Sequence, residues 1–520
     1  MLAYTRRSGV RSSAASQPDL PCRSYQMENR MKPLHFVDTT LRDGHMSLWA
    51  GAMRTDMMLP VAAQIDRVGF QAMEIISTSF FKKMVRELRD DPWERLRRVA
   101  ALAPRTPLRA ILGRYVAAFE FTPKSVTDLW LERLVANGVR QVRISDCSNT
   151  VSVWERLVGD SRRMGLKSIL NLIFSVSPVH TDDYYAKLAR AAAKLGADRI
   201  CLKDPGGLLT PDRTRTLAPI VLREAGKVPV ELHTHCNTGL GPLCVLEAIK
   251  LGVQIVNTGT PPLANGSGNP SVFNVAENAK ALGFTPTIDL EALRPVSAHF
   301  AQIAKREGLP IGTPLEYTES HYTHQVPGGM ISNLRHQLAQ VKMQDRLAEV
   351  LEETARVRED FGYPIMVTPY SQFVGVQAAM NVILGERYKQ ISDQVIQYAL
   401  GLWGEAESAA MNPNLRDRIL SCARAKELAG WRPPEPSIDA VRQNFGGPGV
   451  SDDDLMLRYF AGIEEVAAMR AAPRSGRAVD GRLPLLTLIN ELANKTRFSQ
   501  IKIEKGELVL HMARYVQTGG

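Results

Sequence analysis

The 520-residue chain is too long for one domain, and its 44% hydrophobic and 23% charged residues are ordinary for a globular protein. It has no run of about 18 apolar residues, which excludes a transmembrane helix. The net charge of +10 is spread along the chain, which argues against nucleic acid and fits anionic substrates or acidic partners; six cysteines without a CxxC pair point to a reduced, cytoplasmic setting.

Residues 1–31 are rich in Arg and Ser, poor in acids and without apolar periodicity. They read as a disordered leader or an upstream start before Met27 and Met31, with a transit peptide as the alternative. From residue 32 to 288, eight apolar, β-branched runs fall at 34–37, 70–76, 108–112, 141–145, 167–174, 199–202, 228–232 and 253–256. Segments of helical periodicity lie between them, several ending in Gly69, Gly138, Gly165, Gly196 or Gly252, the place of a left-handed helix cap. Eight βα units in about 260 residues predict a closed (β/α)8 TIM barrel.

Residues 289–435 read as a helical domain that completes the site, with helices predicted over 290–307, 330–340, 345–361, 371–384 and 395–402. Two loops rich in Gly, Pro and hydroxyl residues, 324–333 and 362–372, interrupt it and suit function more than linkage. A Pro-rich stretch, GWRPPEPS, opens an extension over 436–520. There Ser451 is a predicted N-cap with acids behind it, and a helix (485–494) precedes a two-strand ribbon (498–503 and 508–513), a small α+β unit and a possible partner-docking element.

The chemistry gathers at strand ends. In VELHTHCNTG, His233 and His235 are two residues apart and leave one strand on the same side. Lys203 ends the run DRICLKD, and Arg42 and Asp43 follow the strand in FVDTTLRDGH. Polar groups at three strand ends form the usual carboxyl-end face of a barrel enzyme. An isolated HxH pair is more often two solvated loop histidines; the Asp43 and Lys203 segments in step turn the reading toward a metal.

Taken together, the segments DTTLRDGH, SPVHTDDYY, LKDPGGLLTP, HTHCNTG, VPGGMISNL, VREDFGYP and VTPYSQFVG resemble the carboxyltransferase component of biotin-dependent enzymes. That family includes the pyruvate carboxylase carboxyltransferase domain, the oxaloacetate decarboxylase alpha subunit and the transcarboxylase 5S subunit. The resemblance implies a divalent ion (Zn, Mn or Co) on Asp43, His233, His235 and a carbamylated Lys203. It implies a proton shuttle at Thr368, enolate stabilisation by Arg42, and a biotin-facing wall with Met330, Ser371 and Gln372. As an alternative, Thr368 is a turn residue capping the next helix.

Departures from the family pattern fall at Met46, Lys82, Leu112 and Cys236, which the resemblance assigns to the substrate pocket. Met46, Leu112 and Lys82 stand where pyruvate-using members carry Gln, Arg and Asp, so an enolisable acceptor other than pyruvate is expected. The chain carries no biotin-attachment tetrapeptide, so biotin is expected on a separate carrier protein, beside a separate biotin carboxylase subunit and within a homodimer or larger assembly. The alternative is a biotin-independent metal-dependent lyase, decarboxylase or condensing enzyme on the same barrel.

Overall fold

The computed structural model describes residues 32–117, 120–326, 334, 338–339, 342–472, 500–505 and 508–513. The leader, Met330 and most of the predicted helix 330–340, together with the predicted helix 485–494, lie outside the described residues.

Eight parallel strands form the core: β1 (Lys32–Asp38), β2 (Ala72–Ser77), β3 (Leu108–Gly113), β4 (Val139–Ser145), β5 (Lys167–Ile173), β6 (Arg199–Asp204), β7 (Val230–Thr234) and β8 (Ile255–Thr258). Neighbours pair in sequence order, and β1 pairs with both β8 and β2, which closes the barrel. The five glycines expected at helix ends have φ between 71° and 111°. At Gly138 the close approach adds to the backbone demand, because a Cβ there would lie 2.5 Å from the Cβ of Ala100. Among the described residues, no helix is long and apolar enough to cross a membrane.

Strand parity decides what faces the barrel axis. On β3, Arg109 points inward and donates to Glu231 on β7 (2.6 Å) and to Gln141 on β4 (3.1 Å). Ile111 and Gly113 share that face and reach the barrel mouth, while Ala110 and Leu112 turn toward the surrounding helices and are buried there. Glu74, Arg143 and Glu231 are fully buried and paired, so the barrel is filled by ion pairs as well as hydrocarbon. Buried charges persist only when partnered in this way.

After the barrel, helices Leu290–Glu307, Leu347–Asp360, Tyr370–Leu384 and Asp393–Ala399 follow the predicted spans closely. The last three build a second core around Phe361, Phe373, Tyr398 and Trp403, and Cys147 from the loop after β4 belongs to it. The helical region is therefore fastened to the barrel mouth.

Beyond the Pro-rich stretch the chain returns to the barrel rather than leaving it. In helices Ile438–Asn444, Asp452–Ala461 and Ile463–Ala471, Val441, Leu455, Met456, Leu457, Val466 and Met469 join the barrel's own core. The Asp453 carboxylate accepts from Arg97 (2.8 Å), Arg133 (3.0 Å) and Asn137 (3.2 Å), and its carbonyl accepts from the Trp93 indole (3.0 Å). Ser451 caps its helix through the Asp454 amide (3.2 Å), as predicted. Residues 438–472 are thus barrel structure, because their apolar face is matched to Phe81 and Trp130 through Phe460. The ribbon forms as two antiparallel strands, Gln500–Lys505 and Leu508–Ala513.

Candidate active site and metal centre

Asp43, His233 and His235 come together at the carboxyl end of the barrel, their ligand atoms all within 4.8 Å of one another. His233 and His235 emerge from β7 with their Nε2 atoms 3.1 Å apart, and Asp43 lies 3.5 and 3.4 Å from them. The Nδ1 of His235 is 2.7 Å from the carbonyl oxygen of Ser267, which only accepts, so Nδ1 carries the hydrogen and Nε2 is bare. The Nδ1 of His233 is 3.0 Å from both the Asn257 Oδ1 and the Arg143 Nη1, and the Asn269 amide nitrogen, which only donates, lies 3.4 Å from its Nε2, which is therefore bare as well. Two nitrogen lone pairs and a carboxylate aimed at one place fit a divalent cation.

The electrostatics agree. Burial would push the Asp43 carboxyl up, yet the Arg42 guanidinium beside it holds it well below the usual range. Burial and the Arg143 guanidinium push His233 well below its usual value, which keeps it neutral and able to ligate. Asn269 closes the centre: its Nδ2 donates to the Thr234 carbonyl (2.8 Å) and lies 3.4 Å from the His233 Nε2.

Lys203, beside His233 in the β6–β7 register, donates to Ser145 (3.2 Å). Desolvation first, and then the guanidinium groups of Arg143 and Arg42, lower its ammonium to about 7. Arg42 lines the same space, but its nitrogens are bonded to Glu74 and Asp43, so its charge is already shared with two acids.

These groups open into a cavity of about 330 Å³. Arg42, Asp43, Lys203 and His235 lie in its wall with Met46, and Thr368 and Met366 line it from the helical region. The Thr368 side chain is exposed to this space. The structure thus brings together Arg42, Asp43, Lys203, His233, His235, Met46 and Thr368.

Other predicted residues fall elsewhere. Leu112 is not a pocket residue, because strand parity turns it toward the helices and leaves Ile111, Gly113 and Arg114 at the cavity. Lys82 is exposed at the end of the short helix Thr78–Lys83 and does not line the cavity, where Ser77, Thr78 and Ser79 stand instead. Cys236 is buried outside the cavity lining, its Sγ only 2.8 Å from where a Cβ on Gly241 would be. Ser371 is buried in the helix Tyr370–Leu384, and Gln372 lines a separate, smaller hollow with Phe373 and Ser392. Met330 lies outside the described residues.

Sequence reasoning missed the aromatic and cationic side of the cavity. Arg114 reaches it while donating to Asp146 (2.6 and 3.1 Å), to Thr150 (2.7 Å) and to the carbonyl of Trp403. Tyr115 packs edge-on to the Trp403 ring, 5.7 Å between centroids. An arginine and a tyrosine directly after the apolar run of β3 are the signal that was there to read.

A closed barrel with an Asp–His–His centre, a low-pKa lysine and a cavity wall supplied by a following helical unit defines a barrel enzyme that works on a substrate held between those two parts. The family model described as HMGL-like matches residues 135–299, and the one described as Conserved carboxylase domain matches residues 322–459. A pyruvate carboxylase component from Methanocaldococcus jannaschii is 36% identical over 436 residues, 83% of this chain and 76% of that one. The 2-oxoglutarate carboxylase large subunit of Hydrogenobacter thermophilus is 32% identical over 82% of this chain and 67% of its own length. The methylmalonyl-CoA carboxyltransferase 5S subunit of Propionibacterium freudenreichii subsp. shermanii is 32% identical over 76% and 77%. The carboxyl transferase domain of Rhizobium etli pyruvate carboxylase has the same fold, with a TM-score of 0.78 at 24% identity over 87% of this chain and 79% of that one. The chain belongs to the carboxyltransferase family of biotin-dependent carboxylases.

Proposed function

We propose that the chain is the carboxyltransferase subunit of a multi-subunit carboxylase whose biotin carboxylase and biotin carrier are separate chains, and that it pairs with a second copy. The carrier's carboxybiotin delivers CO2 to a 2-oxo acid. One observation carries this reading: Thr368 and the Asp43–His235–Lys203 side of the metal-competent centre line the same cavity from two different parts of the fold.

Asp43, His233, His235 and a carbamylated Lys203 would hold a Zn, Mn or Co ion, which when bound acts as a Lewis acid toward the acceptor carbonyl. Arg42 orients Asp43 through their ion pair (2.8 Å). The Thr368 hydroxyl takes the proton that leaves the acceptor carbon and passes it to the biotin ureido nitrogen, as the carboxyl group moves the other way. The match of residues 322–459 to a carboxylase domain supports carboxyl transfer over a biotin-independent lyase.

Of the three side chains from which the sequence predicts an acceptor other than pyruvate, Met46 lines the cavity and Leu112 and Lys82 do not. The names of the M. jannaschii and H. thermophilus relatives carry two 2-oxo acids, pyruvate and 2-oxoglutarate, so these are the first acceptors to test. The assay supplies the metal-loaded chain with carboxybiotin carrier made from radiolabelled bicarbonate. Label should enter pyruvate or 2-oxoglutarate. Labelling of a ketone or an acyl thioester alone would overturn the 2-oxo acid reading.

A further inference from the structure

Five polar residues, Glu74, Arg109, Arg143, Glu231 and Asn257, face the barrel axis below the metal centre and touch no reacting atom. Asn257 sits on β8 with its Oδ1 3.0 Å from the His233 Nδ1 and 2.6 Å from Arg143 Nη1. Its Nδ2 donates to Glu231 Oε1 (3.1 Å), and that same oxygen accepts from Arg109 (2.6 Å). A carboxamide between a guanidinium donor on one side and a carboxylate on the other has one orientation that satisfies both: oxygen toward Arg143, and so toward His233, and nitrogen toward Glu231. Arg143 Nη1 lies 2.6 Å from Asn257 Oδ1 and 3.0 Å from His233 Nδ1, with Glu74 Oε1 at ion-pair distance (3.1 Å). The other side of the ring decides between them: Asn269 Nδ2, which only donates, lies 3.4 Å from His233 Nε2, so Nε2 is bare and Nδ1 carries the hydrogen. The hydrogen between His233 and Asn257 belongs to the imidazole.

We infer that Asn257 is a positioning residue that fixes His233 as the Nδ1–H tautomer, with the Nε2 lone pair turned toward Asp43 and His235. This rests on the metal reading above. Arg143 and Glu231 keep the amide from turning over, and Arg109 keeps Glu231 in place. The device uses a neutral amide rather than a carboxylate, so it orients the ring without adding negative charge to a barrel where Glu74, Glu231 and Asp43 already balance three arginines. A metal-ligating imidazole is usually held through its other nitrogen, and loss of such a partner commonly weakens metal binding by about 10- to 100-fold.

The test measures the Zn dissociation constant of the full-length protein against a competing chelator, with the melting temperature of the metal-free protein alongside. Asn257→Ala should weaken Zn binding by about 10- to 100-fold. Asn257→Asp keeps an acceptor oxygen facing Nδ1 and should bind within about threefold of the parent, even where its repulsion from Glu231 lowers the melting temperature. Glu231→Gln disturbs the other end of the same network, leaves Oδ1 in place, and should also bind within about threefold. Parent-like Zn binding by Asn257→Ala overturns the inference. So does weakening of tenfold or more in Asn257→Asp, which keeps the question decidable where the alanine variant fails to fold. If the parent itself binds no Zn, Mn or Co, the metal reading fails instead.

Discussion

Raising the pH from 6 to 8 under carbon dioxide should convert Lys203 from an ammonium to a carbamate. A neutral amine is required: it attacks CO2, forms the N–C bond and releases one proton. Desolvation, Arg143 and Arg42 lower the Lys203 ammonium from 10.5 to about 7. About half of the amine is then neutral at pH 7 and about nine-tenths at pH 8, against about 1 in 3,000 at pH 7 for an ordinary lysine. The same guanidinium groups that oppose the ammonium favour the anionic product, so the site pushes in one direction twice. The assay is 13C NMR of the protein under labelled CO2 from pH 6 to 8.5, with bound metal measured in the same samples. A carbamate signal should rise through pH 7, vanish in Lys203→Met, and be accompanied by tighter metal binding. Lys203→Glu, with a shorter carboxylate, should recover part of that binding without CO2. No carbamate at pH 8 in metal-loaded protein, or metal affinity indifferent to CO2, would refute the reasoning. The linkage has a definite sign as well. The unfolded chain keeps the lysine proton up to about pH 10.5 and the folded metal-free chain loses it near 7. This group therefore opposes folding below pH 7, and its penalty fades as the pH rises from 7 to 10.5.

Thr368→Ala should slow carboxyl transfer by about 10²- to 10⁴-fold with metal content and melting temperature unchanged, since the side chain is exposed in the cavity; steady-state kinetics and metal analysis check both. Arg109→Leu leaves the buried Glu231 carboxylate without its closest partner and should cost about 3–5 kcal/mol in denaturant unfolding. Burial opposes ionisation of Glu231, but Arg109 brings its carboxyl down to about 2, so its contribution is full above pH 4.5 and lost as the pH falls toward 2; Glu231→Gln should flatten that part of the acid-unfolding curve. Asp453→Ala removes the acceptor shared by Arg97, Arg133 and Asn137 and should lower stability by about 1–3 kcal/mol, with faster proteolytic release of the C-terminal helices.

The barrel was legible because a βα repeat writes itself plainly: apolar runs, helical periodicity and a glycine before the next strand recur until the sheet closes. His233 and His235 were legible for an equally local reason, since residues two apart on a strand share a face. Leu112 was misread because counting along a motif gives a position and not a direction; Arg109 at the axis shows that Leu112 must face the helices. Ser371 was read at the start of its helix, where it is, but as part of a biotin-facing wall, whereas the helix from Tyr370 buries it. Asn257 on β8 and Arg143 on β4 carry a signal that is easy to pass over. A polar side chain inside an otherwise apolar parallel strand has to be bonded to something, and here the partners come from strands far away in the sequence. Arg114, Tyr115 and Trp403 meet only once the helical region is laid over the barrel.

The return of helices Ile438–Asn444, Asp452–Ala461 and Ile463–Ala471 to the barrel changes what the helical region is mechanically. A lobe attached through one linker can swing; one whose entry and exit are both bolted to the same cylinder is closer to the handle of a cup. Thr368 sits in that handle, and the barrel anchors it on either side, so its spacing from Asp43 is a property of the whole loop of chain. Cutting the chain at the Pro-rich stretch would then remove a buckle, strip the apolar cover from Phe81 and Trp130, and slacken the wall on which the proton has to land.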